Sequence, residues 1–138
     1  MKKTILFLSM ILIISSVDAQ THIPASKTMV GFWQLSKGLM HGSDETIGMF
    51  TVNNSDGSFY MFTISGKDSL KTTMLQYGTY EITSDSTCTE QIVKHYTNSA
   101  MNGSKCLIKF RLIDDNNLLW QWKLGNYNWM TEIWSRVE

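Results

Sequence analysis

Alternation of apolar and polar residues runs through most of the chain after residue 28 and predicts short strands rather than helices. In Lys105–Ile113 the even-numbered residues form an apolar face, whereas Lys109 and Arg111 lie on the other face. This period of two is typical of a strand with one buried face. No stretch after Val17 keeps the 3.6-residue period of a helix. The predicted strands are Val30–Ser36, Glu45–Asn53, Ser58–Ser65, Leu75–Thr83, Thr87–Thr97, Lys105–Ile113, Asn117–Leu124 and Tyr127–Val137, with a further short strand over Leu70–Met74 as an alternative.

Clusters of Gly, Asn, Asp and Ser separate these segments and predict tight turns between antiparallel neighbours. Eight or nine strands joined in this way predict an all-β fold, an up-and-down antiparallel barrel, because closure removes the exposed edges of the sheet. A two-sheet sandwich is the alternative, but it usually needs longer cross-connections than this chain offers. The turn segments are Asn53–Gly57, Gly66–Asp68, Asp85–Ser86, Asn98–Gly103, Asp114–Asn116 and Gly125–Asn126.

The first 19 residues have the features of a cleavable export signal. Lys2 and Lys3 precede an apolar run, and Val17-Asp18-Ala19 places small residues where a signal peptidase reads them. The run is too short for a membrane-spanning helix, which needs about 20 apolar residues. The sequence therefore predicts a signal peptide over residues 1–19 and one domain over 20–138, periplasmic or secreted.

The charge balance excludes some classes of partner. Lys and Arg number 12 and Asp and Glu number 12; removing Lys2, Lys3 and Asp18 with the signal leaves ten basic and eleven acidic residues. A nearly neutral domain lacks the basic surface expected of a nucleic-acid-binding protein. No basic amphipathic helix favours attachment to a membrane, so no membrane insertion of the mature chain is expected. The oligomeric state stays open.

Cys88 and Cys106 are the two cysteines, and in an oxidising compartment a disulfide between them must be weighed. A turn centred near residue 101 would place Cys106 opposite Tyr96 and leave Cys88 eight residues away. Bridged cysteines need Cα atoms about 4.4–6.8 Å apart, so this register favours two buried thiols. The spacing predicts no zinc site.

Gly31-Phe32-Trp33 at the start of the first strand resembles the G-x-W signature of lipocalins. Gly78–Ile82 and Trp129–Arg136 are similar to stretches of small secreted lipocalin-like families of unknown function from gut bacteria. The resemblance implies that Arg136 packs over Trp33 and closes one end of the barrel, where a guanidinium on an indole gains cation–π attraction. Two features of such barrels are missing from this sequence. Too few residues follow the last strand for the helix that flanks classical lipocalin barrels, and Ser36–Asp44 is too short for the helical lid of fatty-acid-binding barrels.

The strand registers predict which side chains face inward. Pairing Phe50 with Tyr60 across the Asn53–Gly57 loop places Phe50 and Phe62 on one face, together with Val52, Tyr60 and Ile64. The last strand has two solutions. A two-residue Gly125-Asn126 turn would leave Glu132, Trp134 and Arg136 outside, whereas a three-residue turn that includes Tyr127 places all three inside. The lipocalin-like role of Arg136 requires the second solution, which we adopt.

An apolar pocket follows from that register, with Glu132 as a buried polar group. Ligand sites are mostly apolar with a few placed polar groups. The alternative is that the same aromatic residues simply fill the barrel and Glu132 pairs with Arg136. The candidate ligand-binding residues are Phe50, Phe62, Tyr80, Phe110, Trp120, Trp122 and Glu132.

Residues that would indicate an enzyme or a metal site are sparse. His22, His41 and His95 are scattered over a tail, a loop and a strand, and no Ser–His–acid order or paired carboxylates indicate a catalyst. Asp114-Asp115-Asn116 has oxygen ligands for Ca²⁺ but favours a plain turn. We therefore expect no enzyme, no cofactor and no metal.

Three function classes remain open on the sequence. The leading one is an exported binder of a small apolar or amphipathic ligand. The second is a filled barrel that contacts another protein through its loops, Ser36–Asp44 and Asn98–Lys105. The third is an enzyme or haem protein that uses His41 or His95.

Overall fold

The structure is a computed structural model that describes residues 28–38 and 46–138. The predicted signal peptide, Gln20, His22 and His41 lie outside these residues. Eight strands form a closed barrel in which each pairs with its sequence neighbours and the first with the last, all antiparallel. The all-β barrel is thus confirmed. The strands are β1 Gly31–Lys37, β2 Thr46–Asn53, β3 Ser58–Ser65, β4 Lys71–Ile82, β5 Thr87–His95, β6 Lys105–Leu112, β7 Asn117–Leu124 and β8 Met130–Arg136.

The short extra strand proposed over Leu70–Met74 is not a separate element. Its residues belong to β4, a continuous strand of 12 residues that shifts register at Met61/Phe62 against β3 and at Tyr77/Gly78 against β5. Such shifts let a long strand bend around the barrel instead of ending. The one short helix in the described residues is a 3-10 turn, Ser99–Met101, between β5 and β6.

The predicted β2–β3 register is wrong by two residues. Phe50 lies opposite Phe62, not Tyr60, because the hairpin closes at Asn54 and Ser58, where the Asn54 N–H donates to the Ser58 carbonyl at 2.9 Å. A shift of two preserves which residues share a face. The shared face that includes Phe50 and Phe62 is nevertheless the outer one, since the residues facing inward are Met49, Thr51, Asn53, Phe59 and Thr63, all buried.

The predicted β5–β6 register is also wrong. Cys106 lies opposite Glu90, and Cys88 lies opposite Ile108. Strands β5 and β6 separate at Ile92, whose N–H donates to the Ser104 carbonyl at 2.9 Å. The part of β5 that follows Ile92 pairs with β4 alone. The connection between β5 and β6 is therefore long, and its midpoint does not set the register.

The β7–β8 register adopted from the sequence is confirmed. Trp120 lies opposite Glu132 and Trp122 opposite Met130, as the turn that includes Tyr127 requires. Glu132 and Trp134 are buried inside the barrel.

Gly78 allows β4 and β5 to approach closely. A Cβ atom at this position would overlap the carbonyl oxygen of Gln91 and lie 2.9 Å from Phe59 Cε1. We expect Gly78→Ala to lower the free energy of unfolding by about 1–3 kcal/mol, the usual cost of overpacking, measured by urea denaturation. Gly103→Asn is the matched control, because a Cβ there meets no atom within 4 Å and Asn tolerates the left-handed backbone. Equal stabilities of the two variants would contradict the predicted close approach.

Candidate functional site

The barrel has a packed end, which we call the closed end, where Trp33 and Arg136 lie. Trp33 is completely buried, and its indole N–H donates to the Met29 carbonyl at 2.9 Å. Arg136 lies opposite Trp33 in the β1–β8 pair, with its guanidinium carbon 4.2 Å from the indole centroid. The packing of Arg136 over Trp33 that the resemblance implied is therefore present.

Two further hydrogen bonds tie the chain to the closed end. Arg136 Nη1 donates to the Val30 carbonyl at 3.3 Å, and Asn53 Nδ2 donates to the Met29 carbonyl at 3.1 Å. These contacts hold residues 29–30 across the barrel mouth. Among the described residues, the closed end is thus packed with side chains.

A cavity of about 300 Å³ occupies the other half of the barrel, the open end, which carries the connections that follow β3, β5 and β7. Its wall is mostly apolar. Thr97 and Asn98, both exposed, also line it, so the cavity reaches the surface beside the β5–β6 connection. The other described lining residues are Met49, Met61, Leu75, Gln76, Glu90, Ile92, His95, Met101, Cys106, Trp120, Trp122 and Glu132.

Three of the seven candidate ligand-binding residues line this cavity: Trp120, Trp122 and Glu132. Glu132 is held by two indoles: Trp122 Nε1 donates to its Oε1 at 3.0 Å, and Trp134 Nε1 donates to its Oε2 at 2.9 Å. The expected pairing of Glu132 with Arg136, proposed for a filled barrel, is replaced by these indole bonds. Two donors on the two oxygens suit an ionised carboxylate, which only accepts.

The remaining candidates lie elsewhere. Phe110 is buried in the core cluster but does not line the cavity. Tyr80 lies near the closed end, where its hydroxyl donates to the Asn54 carbonyl and burial raises the pKa of the phenol to about 12. Phe50 and Phe62 lie on the outer surface, stacked with 5.6 Å between their ring centroids. Phe32 stacks on Phe62 and packs against Phe50 at a tilt of 42°. Their assignment to the pocket was wrong because both faces of β2 and β3 carry large apolar residues.

Glu90 is the main cavity residue that the sequence analysis missed. It faces inward on β5, is 95% buried, and makes no hydrogen bond with any residue in the described ranges. Burial is the larger cause and the charge of Glu132 the smaller cause that together raise the pKa of Glu90 to about 8. The sequence signal that could have placed Glu90 inside the barrel is period-two alternation. Cys88, Glu90 and Ile92 occupy every second position of β5, and all three belong to its inner face.

Cys88 and Cys106 are free thiols in the barrel interior. Their pairing with Ile108 and Glu90 makes them diagonal neighbours, two residues apart in register rather than eight. Diagonal Cα atoms lie about 7–8 Å apart, still beyond the usual disulfide range. Burial raises the pKa of the Cys106 thiol to about 12 and that of Cys88 higher still, so neither is a reactive thiolate near neutral pH.

His95 lies on β5, as expected, and its half-buried side chain lines the cavity. Its Nδ1 accepts the Asn98 N–H at 3.1 Å, which ties the ring to the start of the 3-10 turn. Asp114 behaves as a turn residue: its Oδ1 accepts the N–H of Asn116 at 2.8 Å and its oxygens accept the Asn117 amide at 2.9 Å. Among the described residues no group of three His, Cys, Asp or Glu side chains is placed to hold a metal, and no helix has the length and apolarity to cross a bilayer.

These features define a class: a closed eight-stranded antiparallel barrel with one sealed end and a ligand-sized cavity at the other. The profile of a family described as a domain of unknown function, DUF4488, matches residues 28–138. The chain belongs to this family, and family and barrel together fit a lipocalin-like fold. No curated protein gives a significant match.

Proposed function

We propose that this protein is an exported lipocalin-like binding protein that holds one small apolar or amphipathic molecule in its barrel. The observation that carries the proposal is the cavity of about 300 Å³ with two tryptophans and two buried glutamates in its wall. A chain that needed only a stable barrel would gain by filling this space, because each unfilled volume costs stability. Binding would be passive, driven by burial of apolar area at roughly 25 cal/mol per Å².

The size of the cavity limits the ligand. A volume of about 300 Å³ equals roughly ten water molecules at about 30 Å³ each. The matching ligand has on the order of ten to fifteen non-hydrogen atoms. This is at the low end of ligand sites, and it disfavours haem and long-chain lipids.

We propose a binder rather than an enzyme. The thiol of Cys106 lies at the cavity but keeps its proton at neutral pH, so it is a poor nucleophile. His95 Nδ1 already accepts a backbone N–H. The cavity disfavours the alternative, a filled barrel that binds another protein through its loops, Ser36–Asp44 and Asn98–Lys105.

Native mass spectrometry of the protein purified from its own host's envelope tests the proposal first. We expect a co-purifying molecule that is lost on denaturation, and a mature chain that begins at Gln20 if export occurs as proposed. A bare protein mass, with no thermal stabilisation by naphthalene, 1-octanol or 2-phenylethanol, would favour the interaction module. A mass that retains residues 1–19 would overturn the proposed export without affecting the binding proposal.

Met61→Trp should block the cavity. Met61 is half-buried and lines it, whereas its neighbour Phe62 points outward. Filling the space with an indole should weaken binding of any ligand that stabilises the wild type by about tenfold or more, measured by quenching of Trp120 and Trp122 fluorescence and by thermal shift. Phe62→Trp is the matched control and should bind as the wild type does. Equal affinities for both variants would place the ligand outside the barrel.

A further inference from the structure

We propose that the cavity selects a small neutral aromatic molecule with a primary carboxamide or lactam group, which pairs with the Glu90 carboxylic acid through two hydrogen bonds. This inference rests on the proposed binding function and adds the polar group of the ligand to it. The observation that carries it is the state of the Glu90 side chain. It lines the cavity, is 5% exposed and makes no hydrogen bond with the described residues.

Glu90 is a neutral carboxylic acid in this setting. Burial without a hydrogen-bond donor or a cation disfavours a carboxylate, and the described lining residues include neither lysine nor arginine. The pKa of Glu90 is accordingly raised to about 8, by burial first and by the charge of Glu132 second. A neutral carboxylic acid offers an O–H donor and a carbonyl acceptor side by side. At pH 7 the wall therefore presents one donor and one acceptor that the described residues leave unpaired.

A carboxamide matches these two groups. In a primary amide or a lactam the carbonyl oxygen and an N–H point the same way, so the carbonyl accepts from the Glu90 O–H while the N–H donates to the Glu90 carbonyl. A ketone or an ester would pair with the donor alone, and a buried acceptor left unpaired weakens binding. A carboxylate ligand would bring a charge into an apolar space whose described lining holds neither lysine nor arginine.

The depth of Glu90 in the barrel is what makes the ligand its partner. A second polar side chain of the wall, Gln76, is 8% exposed and also makes no side-chain hydrogen bond with the described residues. It lies opposite His95 in the β4–β5 pair, close to the cavity mouth at Asn98, where water has access. Glu90 lies deeper, opposite Tyr80, so a bound molecule that excludes water must itself pair with Glu90.

The rest of the wall suits an aromatic ring attached to the amide. Trp120 and Trp122 line the cavity from β7, and indole faces attract aromatic rings. Met49, Met61 and Met101 contribute further apolar surface, and thioethers adapt to an aromatic guest. A ring, a short linker and an amide together reach the roughly ten to fifteen non-hydrogen atoms that the volume allows.

The first test compares three probes of one shape: 3-phenylpropanamide, 4-phenyl-2-butanone and 3-phenylpropanoate. Isothermal titration of the full protein at pH 7 measures their affinities. We expect the amide to bind about tenfold more tightly than the ketone, the effect of one further hydrogen bond, and the carboxylate not to bind detectably. Ketone binding as tight as that of the amide, or carboxylate binding tighter than either, would overturn the inference.

Amide binding should weaken as Glu90 loses its proton, because a carboxylate cannot donate. With the pKa of Glu90 at about 8, the affinity for 3-phenylpropanamide should fall about tenfold from pH 7 to pH 9. Burial holds the pKa of Cys106 and of Tyr80 at about 12 and that of Cys88 higher still, so these groups keep their protons in this range. The titratable groups around Glu90 are Tyr80 on β4, Cys88 and His95 on β5, Cys106 on β6 and Glu132 on β8.

Two variants of Glu90 separate its proton from its hydrogen bonds. Glu90→Gln keeps a donor and an acceptor but has no proton to lose, so its affinity for the amide should not fall from pH 7 to pH 9. Glu90→Leu removes both groups and should lower the preference for the amide over n-butylbenzene about tenfold or more. Glu81→Gln, an exposed glutamate on β4, is the control and should keep the wild-type fall. Titration of His95 is common to all of these proteins.

The outcomes distinguish this inference from the proposed function. A tenfold fall that persists in Glu90→Gln would overturn the role of the Glu90 proton. Binding of n-butylbenzene to the wild type without binding of the amide would overturn the inference and leave the proposed function intact. If none of the four probes binds and no molecule co-purifies, the proposed function itself fails.

Discussion

Trp33→Ala is expected to lower the free energy of unfolding by about 3–5 kcal/mol, the usual cost of removing a large buried aromatic side chain. Trp33 is completely buried, donates to the Met29 carbonyl at 2.9 Å and carries the Arg136 guanidinium on its ring face. Alanine leaves a cavity, removes the indole donor and exposes the guanidinium to an empty space. Because small domains are stable by only about 5–15 kcal/mol, the variant should be close to unfolding in mild urea.

The measurement is urea denaturation followed by far-ultraviolet circular dichroism. Trp129→Ala is the matched control: Trp129 is 36% exposed, and Lys109 Nζ lies 4.5 Å from its ring centroid. An exposed cation–π pair contributes about 0.5–1 kcal/mol, so this variant should lose little. A loss below about 1 kcal/mol for Trp33→Ala would mean that the closed end is not sealed as described.

Glu90→Gln is expected to change how stability depends on pH. The folded protein holds the Glu90 proton up to about pH 8, whereas a free glutamate has a pKa of 4.5. Between these two pH values the folded state binds more protons than the unfolded chain, so the free energy of unfolding falls as pH rises through this window and levels off above it. Since each tenfold change in the protonation equilibrium is about 1.4 kcal/mol, the fall from this group is on the order of a few kcal/mol.

Glutamine does not titrate, so this fall should be absent in Glu90→Gln, and the variant should gain on the wild type from pH 5 to pH 9. Urea denaturation at intervals of one pH unit gives the free energy of unfolding of each protein. In the difference between the two values, the contributions of titrating groups common to both proteins cancel. Glu81→Gln, an exposed glutamate on β4, is the control and should follow the wild type at every pH. Parallel curves for wild type and Glu90→Gln would show that Glu90 is not buried as a neutral acid.

Trp33 and Glu90 lie in opposite halves of one barrel. Trp33 and Arg136 pack at the closed end, and Glu90 lines the cavity that is proposed to bind a ligand. Burial of an acidic side chain in the cavity destabilises the fold, so packing elsewhere, such as that at the closed end, must offset this loss. The two variants therefore measure opposing contributions to the stability of one barrel. Functional sites are where such locally unfavourable groups are expected.

Local patterns in the sequence were sufficient for the strands and for part of the site. The even positions of β6 and β7 alternate so regularly that their inner faces, including Trp120 and Trp122, could be read directly. Glu132 followed from a turn length that was chosen because the lipocalin resemblance places Arg136 over Trp33. A short turn limits the β7–β8 pair to a few registers, and the resemblance selected between them.

The remaining site residues depended on contacts that no local pattern contains. Phe50 and Phe62 were assigned inward although Met49 and Thr63 are the buried residues, because period-two alternation identifies two faces without stating which one meets the barrel axis. The position of Cys106 opposite Glu90 was missed because β5 leaves β6 at Ile92 to pair with β4. Long connections leave register to the neighbouring strands.

Periodicity and turn residues in the sequence determined the order of the strands, eight or nine in number, and the closure of the barrel, and the resemblance to lipocalins implied the Trp33–Arg136 contact. Only the tertiary structure decided which faces of β2 and β3 point inward, the β5–β6 register, the position of the cavity and the placement of Glu90 and Glu132 in its wall. Those features arise when strands far apart in sequence curve around a common axis, and burial in that shared space gives two ordinary glutamates their unusual environment.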